Sequence, residues 1–404
     1  MARAPATPAH GRRRRTPEEV IMKIGVHLYF QNYTDWDRFK SRQPGPPAIT
    51  DQQIYEEDLH LAGLVEPLGF DSYWAVDHHF TPYAMTGGAL QHLTYMAGKT
   101  TKLDFGSIVV VLPWYDPLAV VDQISVLDNM LQGRQLTIGL GRGAAKQEFD
   151  RFRVPMPHAR GRFAESVEIL RRALKNEWFS FEGEHFQIPE TSIRPGFRNP
   201  ERLLERMRIA WQSPDTLPIV ANSGHGVIMT NTKSWDEYAE DIQQVNKIRR
   251  SIGLGPTQPT VQVMLSCFDS EAEAWGVMST HMLESYNSSA KQYGLDDPSQ
   301  FIGVKGYEHY AKVPPYLGPG TDPAKDEQML EYAARPQAWG TPDQVFEKLQ
   351  FIQQKTGAVE FIVNPRFGGM SAETAERSMR LFAAEVLPRL QAIDPPLPES
   401  LNGE

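Results

Sequence analysis

The stretch "KLDFGSIVVVLPWYDPLAVVDQISVLDNMLQGRQLTIGLGRG", residues 102–143, contains two strand-like segments and the helix between them. Its first part is rich in β-branched residues, which favour strands. Asp116 is suited to cap the following helix and Pro117 to occupy its first position, where a missing N–H costs nothing. A second apolar run then ends in glycines. Two apolar strands joined by a helix are typical of a parallel sheet covered by helices.

The same alternation extends in both directions, from residue 22 to about residue 390. Eight strand-like runs are each followed by an amphipathic helical pattern, which predicts an α/β protein with a (β/α)8 TIM barrel. The runs are "KIGVHLYF", "DSYWAVD", "KLDFGSIVVVLP", "QLTIGLGRG", "ERMRIAWQS", "GVIMTN", "TVQVMLSCF" and "VEFIVNP". The segment "LPIVANSG" has strand-like composition, but it follows "SPDT", and we expect a helix from about residue 214. In such barrels the catalytic residues collect on the loops after the strands.

The predicted barrel has a segment on either side of it in sequence and two long internal segments that interrupt the alternation. We expect residues 1–21, which carry the basic run "HGRRRR", to be a disordered leader because no apolar stretch of signal length follows them. The barrel is predicted over 22–392, followed by a flexible tail over 393–404. Residues 31–50 form a long first loop. Residues 285–340, rich in Tyr, Gly and Pro, are predicted to be an insertion after the seventh strand that acts as a lid.

The overall composition excludes several function classes. The 404 residues carry 41 Lys plus Arg against 50 Asp plus Glu, and a net charge of -9 disfavours binding to nucleic acid. A single cysteine, Cys267, excludes an intrachain disulfide and fits a cytoplasmic enzyme. Because no run of about 18 apolar residues occurs, no membrane span is predicted.

Two histidines follow the second predicted strand in "AVDHHFTPYAM", residues 75–85. If the chain stays extended there, His78 and His79 point to opposite sides, which disfavours a shared metal ion. Two interpretations stay open. The histidines either hydrogen-bond a neighbouring loop or Asp77, or one of them is a pocket base whose proton affinity a carboxylate tunes.

Glycines after the fourth strand and hydroxyls after the fifth suggest ligand contacts. "GLGRGAA" has the glycine spacing of a dinucleotide fingerprint, but it lacks the packed helix that this motif needs. Gly141 and its neighbours could allow close approach to a flat ligand, with Arg142 adding charge, or form an ordinary turn. In "WQSPDT", Ser213 and Thr216 fit either a helix cap or an anion site.

An arginine would decide between the cap and the anion site. "HARGRFAE" supplies Arg160 or Arg162, either of which would make the helix start a phosphate clamp. Aromatic side chains at strand ends, Phe30 and Trp114, with Trp339 as a further one, predict a substrate that is apolar or aromatic.

Four segments together resemble the bacterial luciferase-like flavin-dependent monooxygenases: "VDHHF", "VVVLPWYDPLAVVDQISVLDNMLQGR", "IGLGRGAAKQEF" and "WGTPDQVFEKLQ". The similarity extends from about residue 22 to 390. It implies a barrel that binds reduced FMN delivered by a separate flavin reductase. It also implies that O2 adds to the flavin C4a carbon, and that the resulting peroxyflavin oxygenates a small organic molecule. We expect a homodimer.

The resemblance assigns roles to individual residues. His78 takes the position of the catalytic histidine, with His79 beside it. The cofactor-binding positions are Asp77, Ile108, Val109, Gly141, Arg142, Arg160, Ser213 and Thr216, and no metal is implied. A non-prolyl cis peptide beneath the flavin ring would join Ile108 to Val109. Gly141 and Gln212 replace a cysteine and a glutamate of luciferase itself, which argues against light emission.

Three other functions are compatible with parts of this pattern. A deazaflavin (F420)-dependent oxidoreductase on the same barrel would transfer hydride without oxygen and would need room for a longer cofactor tail. A barrel of this type can also keep its flavin and lose its activity. A metal-dependent hydrolase fits the sequence least well, because suitable additional ligands at other strand ends are missing.

Overall fold

A computed structural model describes residues 22–210, 217–230 and 234–395. Within these residues eight parallel strands close a barrel, as predicted. The strands of the chain are β1 (Lys23–His27), β2 (Ser72–Ala75), β3 (Asp104–Ser107), β4 (Val110–Val111), β5 (Leu136–Gly141), β6 (Phe179–Glu182), β7 (Gln187–Thr191), β8 (Met207–Ala210), β9 (Gly226–Thr230), β10 (Thr260–Cys267), β11 (Ala338–Gly340) and β12 (Glu360–Asn364). The barrel order is β10-β12-β1-β2-β3-β5-β8-β9, and pairing of β9 with β10 closes it. All eight predicted barrel strands are confirmed.

Helices surround the barrel and cover its outer face. They are α1 (Trp36–Ser41), α2 (Asp51–Leu64), α3 (Ala89–Lys99), α4 (Pro117–Met130), α5 (Lys146–Phe152), α6 (Ala159–Lys175), α7 (Pro200–Glu205), α8 (Leu217–Ser223), α9 (Trp235–Ser251), α10 (Glu271–Tyr293), α11 (Pro323–Met329), α12 (Pro342–Thr356), α13 (Ala372–Glu385) and α14 (Leu387–Leu390). The main hydrophobic core lies between the strands and these helices. No described helix is long and apolar enough to cross a membrane.

The central strand-helix-strand unit forms as its sequence predicts. The Asp116 side chain accepts a hydrogen bond from the Leu118 N–H at 2.8 Å, and Pro117 is the first residue of α4. The helical interpretation of "LPIVANSG" is also confirmed, because α8 covers seven of its residues. The predicted start of that helix, with Ser213, lies in 211–216, outside the described residues.

Trp74 fills the middle of the barrel and explains two glycines. A Cβ atom added at Gly25 or Gly106 would lie within 2.6 Å of the Trp74 indole, so neither position accepts a side chain while the indole is there. Ile228 and Ile362 pack against the same ring. The interior is therefore a packed core, and ligands have space only above it, at the C-terminal ends of the strands.

The two long segments differ from their predicted form. Residues 31–50 are partly helical, since they contain α1 and a short 3-10 turn. The predicted insertion, residues 285–340, starts too early, because 285–293 are the last turns of the 23-residue helix α10. The helical period continues through "SYNSSAKQY", but its small polar residues resemble a loop in composition. Gly294 ends the helix with a φ of 71°, and the remaining insertion includes α11 and β11.

The first loop and α10 are fastened to each other above the barrel. Gln31 Nε2 and Trp36 Nε1 both donate to Ser288 Oγ, at 2.6 and 2.5 Å. Lys291 forms an ion pair with Asp37 at 3.0 Å. These contacts fix the last turns of α10 over the barrel mouth.

A buried ion pair connects α2 to the loop after β12. Arg366 donates from Nη1 to Asp58 at 2.7 Å, from Nη2 to Glu57 at 2.5 Å and from Nε to the Met370 carbonyl at 3.0 Å. Asp58 is 2% exposed. Burial raises the pKa of Asp58, although Arg366 opposes this rise. The carboxylate therefore depends on the arginine for its charged state.

Candidate functional site

His78 lies just after β2 and is held from both sides of its ring. Its Nδ1 is 3.2 and 3.3 Å from the two carboxylate oxygens of Glu148, and its Nε2 is 3.1 Å from the Tyr293 hydroxyl. His78 and Glu148 are both buried. The Gln292 Nε2 amide nitrogen is also near Nδ1, but at 3.4 Å it is further away than both carboxylate oxygens. Because a carboxylate only accepts hydrogen bonds, the closer contacts assign the proton to Nδ1 and make Nε2 the acceptor from Tyr293.

Glu148 also fixes the backbone beside His78. One of its carboxylate oxygens accepts the His79 N–H at 2.6 Å. Glu148 lies in the first turn of α5, where the positive end of the helix favours a carboxylate. The same side chain therefore orients the imidazole and the loop that carries it.

Asp77 holds the neighbouring loops together. Its two carboxylate oxygens accept the backbone N–H groups of Val111 and Ala89, at 3.0 and 3.1 Å, and the Tyr115 hydroxyl at 3.0 Å. Burial, and then Asp77, raise the pKa of Tyr115, so that the phenol stays protonated. Asp77 is buried, and its predicted contact with a cofactor gains no support from this position.

His79 points away from His78, as the alternation predicts, and enters an aromatic cluster. Its ring lies 4.8 Å from Phe152 and 5.6 Å from Trp114, and its Nε2 is 2.8 Å from the Tyr115 oxygen. Since the Tyr115 proton is directed to Asp77, His79 Nε2–H is the donor in this bond. Among the described residues, no group of three or more His, Cys, Asp or Glu side chains is placed to hold a metal ion.

Two arginines converge beside the loop after β5. Arg142 donates to the Gly306 carbonyl at 3.1 Å, and its guanidinium lies 4.2 Å above the Tyr307 ring. A Cβ added at Gly306 would lie 3.4 Å from Arg142 Nη1 and 3.9 Å from Arg160 Nη2. Arg160 is exposed and makes no hydrogen bond with the described residues. Backbone hydrogen bonds, and after them the charge of Arg160, lower the pKa of the exposed Glu308 carboxyl, so this guanidinium already has a neighbouring acid in the insertion.

Arg162, the alternative to Arg160, serves the fold. It donates to the backbone carbonyls of Pro113 and Tyr115, at 2.8 and 3.2 Å, and packs over the Phe186 ring. Of the two arginines in "HARGR", Arg162 is therefore held by the backbone of the loop after β4, whereas Arg160 is exposed.

Next to these arginines, the segment after β3 packs closely against the end of β5. The peptide bond from Ile108 to Val109 is cis, as the resemblance implies. Ile108 packs into the barrel interior, whereas Val109 is partly exposed. A Cβ at Gly141 would lie 2.4 Å from Val109 Cγ2, so only glycine fits beside this valine as it is placed. Ser213, Thr216 and Gln212 lie outside the described residues.

The two predicted substrate-contacting aromatics have different positions. Phe30 is fully buried and packs against Tyr55 and His92, at 4.9 and 4.7 Å between ring centres, in the main core. The structure therefore does not bring Phe30 to the site. Trp114 does border it. Its ring stacks on Phe152 at 5.4 Å, and its buried Nε1 has no partner among the described residues. Trp339 lies elsewhere, under the Lys348 ammonium.

His27 is a buried imidazole at the end of β1. Both of its nitrogens lack a hydrogen-bond partner within the described part of the chain. Burial, with smaller contributions from His92 and His78, lowers the pKa of His27 to about 3. Burial also lowers the pKa values of His92 and His225 to about 4. All three imidazoles are therefore neutral in the folded protein near pH 7.

These histidines make the protein sensitive to acid. Between pH 6.5 and their folded pKa values, the unfolded chain binds protons that the folded chain does not, so stability falls as pH falls. Each such group contributes about 1.4 kcal/mol per pH unit. We expect His27→Leu to remove one of these contributions while changing stability little at pH 7.5. Urea unfolding at pH 7.5, 6 and 5 measures this, and equal pH slopes for the two proteins would contradict it.

Two residues of this site, Glu148 and Tyr293, were not predicted. Glu148 had a usable signal, since it is an acid one helical turn after a glycine-rich strand end and within a segment that carries the resemblance. Tyr293 had none. It reaches His78 only because a helix of 23 residues, α10, runs back across the barrel mouth.

Comparison with protein families identifies the group to which this site belongs. A family profile described as luciferase-like monooxygenase matches residues 40–359, which is more than half of the chain. The chain belongs to the luciferase-like monooxygenases. An uncharacterized protein, y4vJ, of Sinorhizobium fredii is 32% identical over 177 residues, 44% of this chain and 50% of that relative. The alkanal monooxygenase alpha chain of the Kryptophanaron alfredi symbiont is 23% identical, covering 86% of this chain and 96% of that one.

Solved structures show the same fold for this luciferase-like monooxygenase. Monooxygenase RslO1 from Streptomyces bottropensis superposes with a TM-score of 0.67 at 24% identity, over 91% of this chain and 99% of that one. The oxygenating constituent of 3,6-diketocamphane monooxygenase from Pseudomonas putida, in complex with FMN, gives 0.66 at 17% identity over the same shares. A coenzyme F420 dependent tetrahydromethanopterin reductase from Methanopyrus kandleri gives 0.62 at 18%, over 92% and 99%.

Proposed function

We propose that this luciferase-like monooxygenase uses reduced FMN and O2 to oxygenate a small apolar or aromatic organic molecule. The observation that carries the proposal is the geometry of one barrel mouth. A histidine backed by a buried carboxylate follows β2, and two arginines converge on Gly306, one of them from the loop after β5. The glycine-rich end of β5 belongs to the same set of strand ends, with Gly141 against the partly exposed Val109.

The residues present fit a flavin mononucleotide. Arg142 and the exposed Arg160 suit a phosphate, with Ser213 and Thr216 as further proposed ligands. Gly141, Val109 and the Ile108 peptide would face the flat ring, since no side chain projects from position 141. When bound, reduced FMN would supply the electrons that activate O2 for insertion into the substrate.

The protein groups then have separate tasks. His78 accepts a proton through Nε2, and the buried Glu148 carboxylate stabilises the imidazolium that results. His79, Trp114 and Phe152 form an aromatic wall that would limit the access of water to the reacting atoms. The part of the insertion around Gly306 and Tyr307, here called the tip of the insertion, covers the loop after β5. The Tyr307 hydroxyl donates to the Gly143 carbonyl at 2.8 Å.

Replacing Arg142 tests whether this arginine binds the phosphate of FMN. We expect Arg142→Gln to weaken FMN binding by about 10- to 150-fold, because a charge-assisted hydrogen bond contributes about 1.5–3 kcal/mol. Riboflavin, which lacks the phosphate, should bind nearly as well as before. Arg151→Gln is the matched control, because Arg151 is exposed and, within the described part of the chain, its side chain bonds to Gln147 of its own helix. Flavin fluorescence titration measures the affinity of the wild-type protein and both variants for FMN and for riboflavin. Equal losses for FMN and riboflavin would show that the phosphate lies elsewhere.

A deazaflavin-dependent oxidoreductase is the second candidate, because proteins that use F420 share this fold. The tip of the insertion, bound to Arg142 through Gly306, supports the shorter FMN, since F420 carries a longer tail past its phosphate. Parallel titration of the protein with FMN and F420 separates the two functions. Tight binding of F420 alone would replace our proposal, and flavin binding without O2 consumption would indicate a non-catalytic carrier.

The partners follow from the same proposal. A separate flavin reductase would supply the reduced cofactor, and the enzyme would act as a homodimer in the cytoplasm. Oxygen consumption with reduced FMN across a panel of aldehydes, ketones, terpenes and aromatic compounds would identify the substrate class.

A further inference from the structure

Both ring nitrogens of His78 are covered by protein. Nδ1 faces the buried carboxylate of Glu148, with the Gln292 amide at 3.4 Å, and Nε2 faces the Tyr293 hydroxyl at 3.1 Å. His78 is only 5% exposed. A molecule in the barrel mouth therefore meets another group before it meets the imidazole.

Tyr293 is the residue that covers Nε2. It is partly exposed, and its ring packs edge-on against His78 at 5.7 Å and against Tyr83 at 5.9 Å. Burial, and then the charge of Glu148, raise the pKa of Tyr293 well above that of a free phenol. The hydroxyl therefore keeps its proton, which it donates to His78 Nε2, and its oxygen lone pairs remain available to a second donor.

The position of Tyr293 is fixed by neighbouring segments. The Gln292 side-chain oxygen accepts from Thr81 Oγ1 at 2.6 Å, and the Gln292 backbone carbonyl accepts from Gln147 Nε2 at 2.7 Å. These bonds connect the last turn of α10 to the loop that carries His78 and to α5, which carries Glu148. The three functional groups are thus held by one connected network.

We propose that Tyr293 is the catalytic residue that exchanges a proton with the bound molecule, and that His78 acts only through it. A ligand O–H or N–H group gives its proton to the Tyr293 oxygen while the original Tyr293 proton moves to His78 Nε2. The products are the deprotonated ligand and an imidazolium paired with Glu148, and reversal of both transfers returns the proton. This inference rests on the proposed monooxygenase function for the identity of the ligand.

The first test needs no cofactor. In the full-length protein with 15N-labelled histidine, we expect the His78 Nε2 resonance to show a hydrogen-bonded, unprotonated nitrogen. Tyr293→Phe should shift this resonance toward the position of a free unprotonated nitrogen. Tyr83→Phe is the matched control, because Tyr83 packs on His78 at 4.9 Å without a hydrogen bond to it. His78→Gln assigns the signal. An unmoved Nε2 resonance in Tyr293→Phe overturns the proposal, whatever the cofactor.

The second test uses enzyme loaded with reduced FMN. We expect Tyr293→Phe to slow proton-dependent turnover by about 100-fold and to reduce the H2O/D2O rate ratio, while Tyr83→Phe keeps the wild-type ratio. A purely structural role for Tyr293 would lower thermal stability and leave this ratio unchanged, which would overturn the proposal. Failure of the wild-type protein to bind FMN would instead refute the proposed function, and the nitrogen resonance alone would then decide the contact.

Discussion

Replacing Glu148 with glutamine is expected to slow substrate oxygenation by about 10²- to 10⁴-fold, the range that correctly placed proton transfer contributes to catalysis. Glutamine can still accept the His79 N–H through its oxygen, but its NH2 group then faces His78 Nδ1. The carboxylate oxygen that accepts the His79 N–H also lies 3.2 Å from His78 Nδ1, so a glutamine oxygen can keep both contacts, while the NH2 group replaces the second acceptor at 3.3 Å. The Nδ1–H group is then held less well, which weakens the tautomer that accepts from Tyr293. The imidazolium also loses its counter-charge.

Product formation and peroxide release together measure this effect. Glu148→Gln should still consume reduced FMN, with more of the oxygen appearing as hydrogen peroxide. Asp150→Asn is the matched control, since it removes the same charge from an exposed position of the same helix, where Asp150 pairs only with Lys146. Wild-type product formation by Glu148→Gln would exclude Glu148 from the mechanism.

Removing Arg366 should produce the largest loss of stability. Arg366→Met leaves the Asp58 carboxylate buried without its partner, and breaking a buried pair in this way costs about 3–5 kcal/mol in the free energy of unfolding. The double variant Asp58→Leu, Arg366→Met should recover much of that loss, because no charge is then left buried.

Urea unfolding of the single and double variants tests this ion pair. The control is Arg380→Met, which removes an arginine from an exposed pair with Glu376 and should change stability by less than about 1 kcal/mol. A loss in Arg366→Met no larger than in this control would show that Asp58 is protonated or solvated in the folded protein.

The barrel was predictable because its signals are local. The β-branched runs, the capping residue Asp116 and the proline after it each act within a few residues of sequence. The eight strands and their order follow from their repetition. The sequence predicted that a carboxylate would lie beside the histidines, but it did not predict which acidic residue supplies it. Asp77, the adjacent acid, binds the loops, and Glu148, 70 residues away, takes the imidazole.

The positions that were wrong or missed depend on where a strand or helix stops. Phe30 follows "KIGVH" in sequence as if the strand continued, but β1 ends at His27 and Phe30 has a φ of 53°. This left-handed turn directs its ring into the core. Similarly, α10 continues into a segment whose composition resembles a loop, and so brings Tyr293 to the site. Strand alternation predicts side-chain direction only while the strand continues, and composition did not show that α10 continues as a helix to Tyr293.

The contact between Val109 and Gly141 limits how the chemistry of this barrel can change over evolution. The resemblance drawn from the sequence places a cysteine of luciferase at the position of Gly141. A single Gly141→Cys substitution would force its Cβ against the stiff, branched Val109 side chain. A smaller residue at position 109 would have to arise first, or at the same time. As long as valine occupies position 109, a cysteine side chain cannot be introduced at position 141 without moving it.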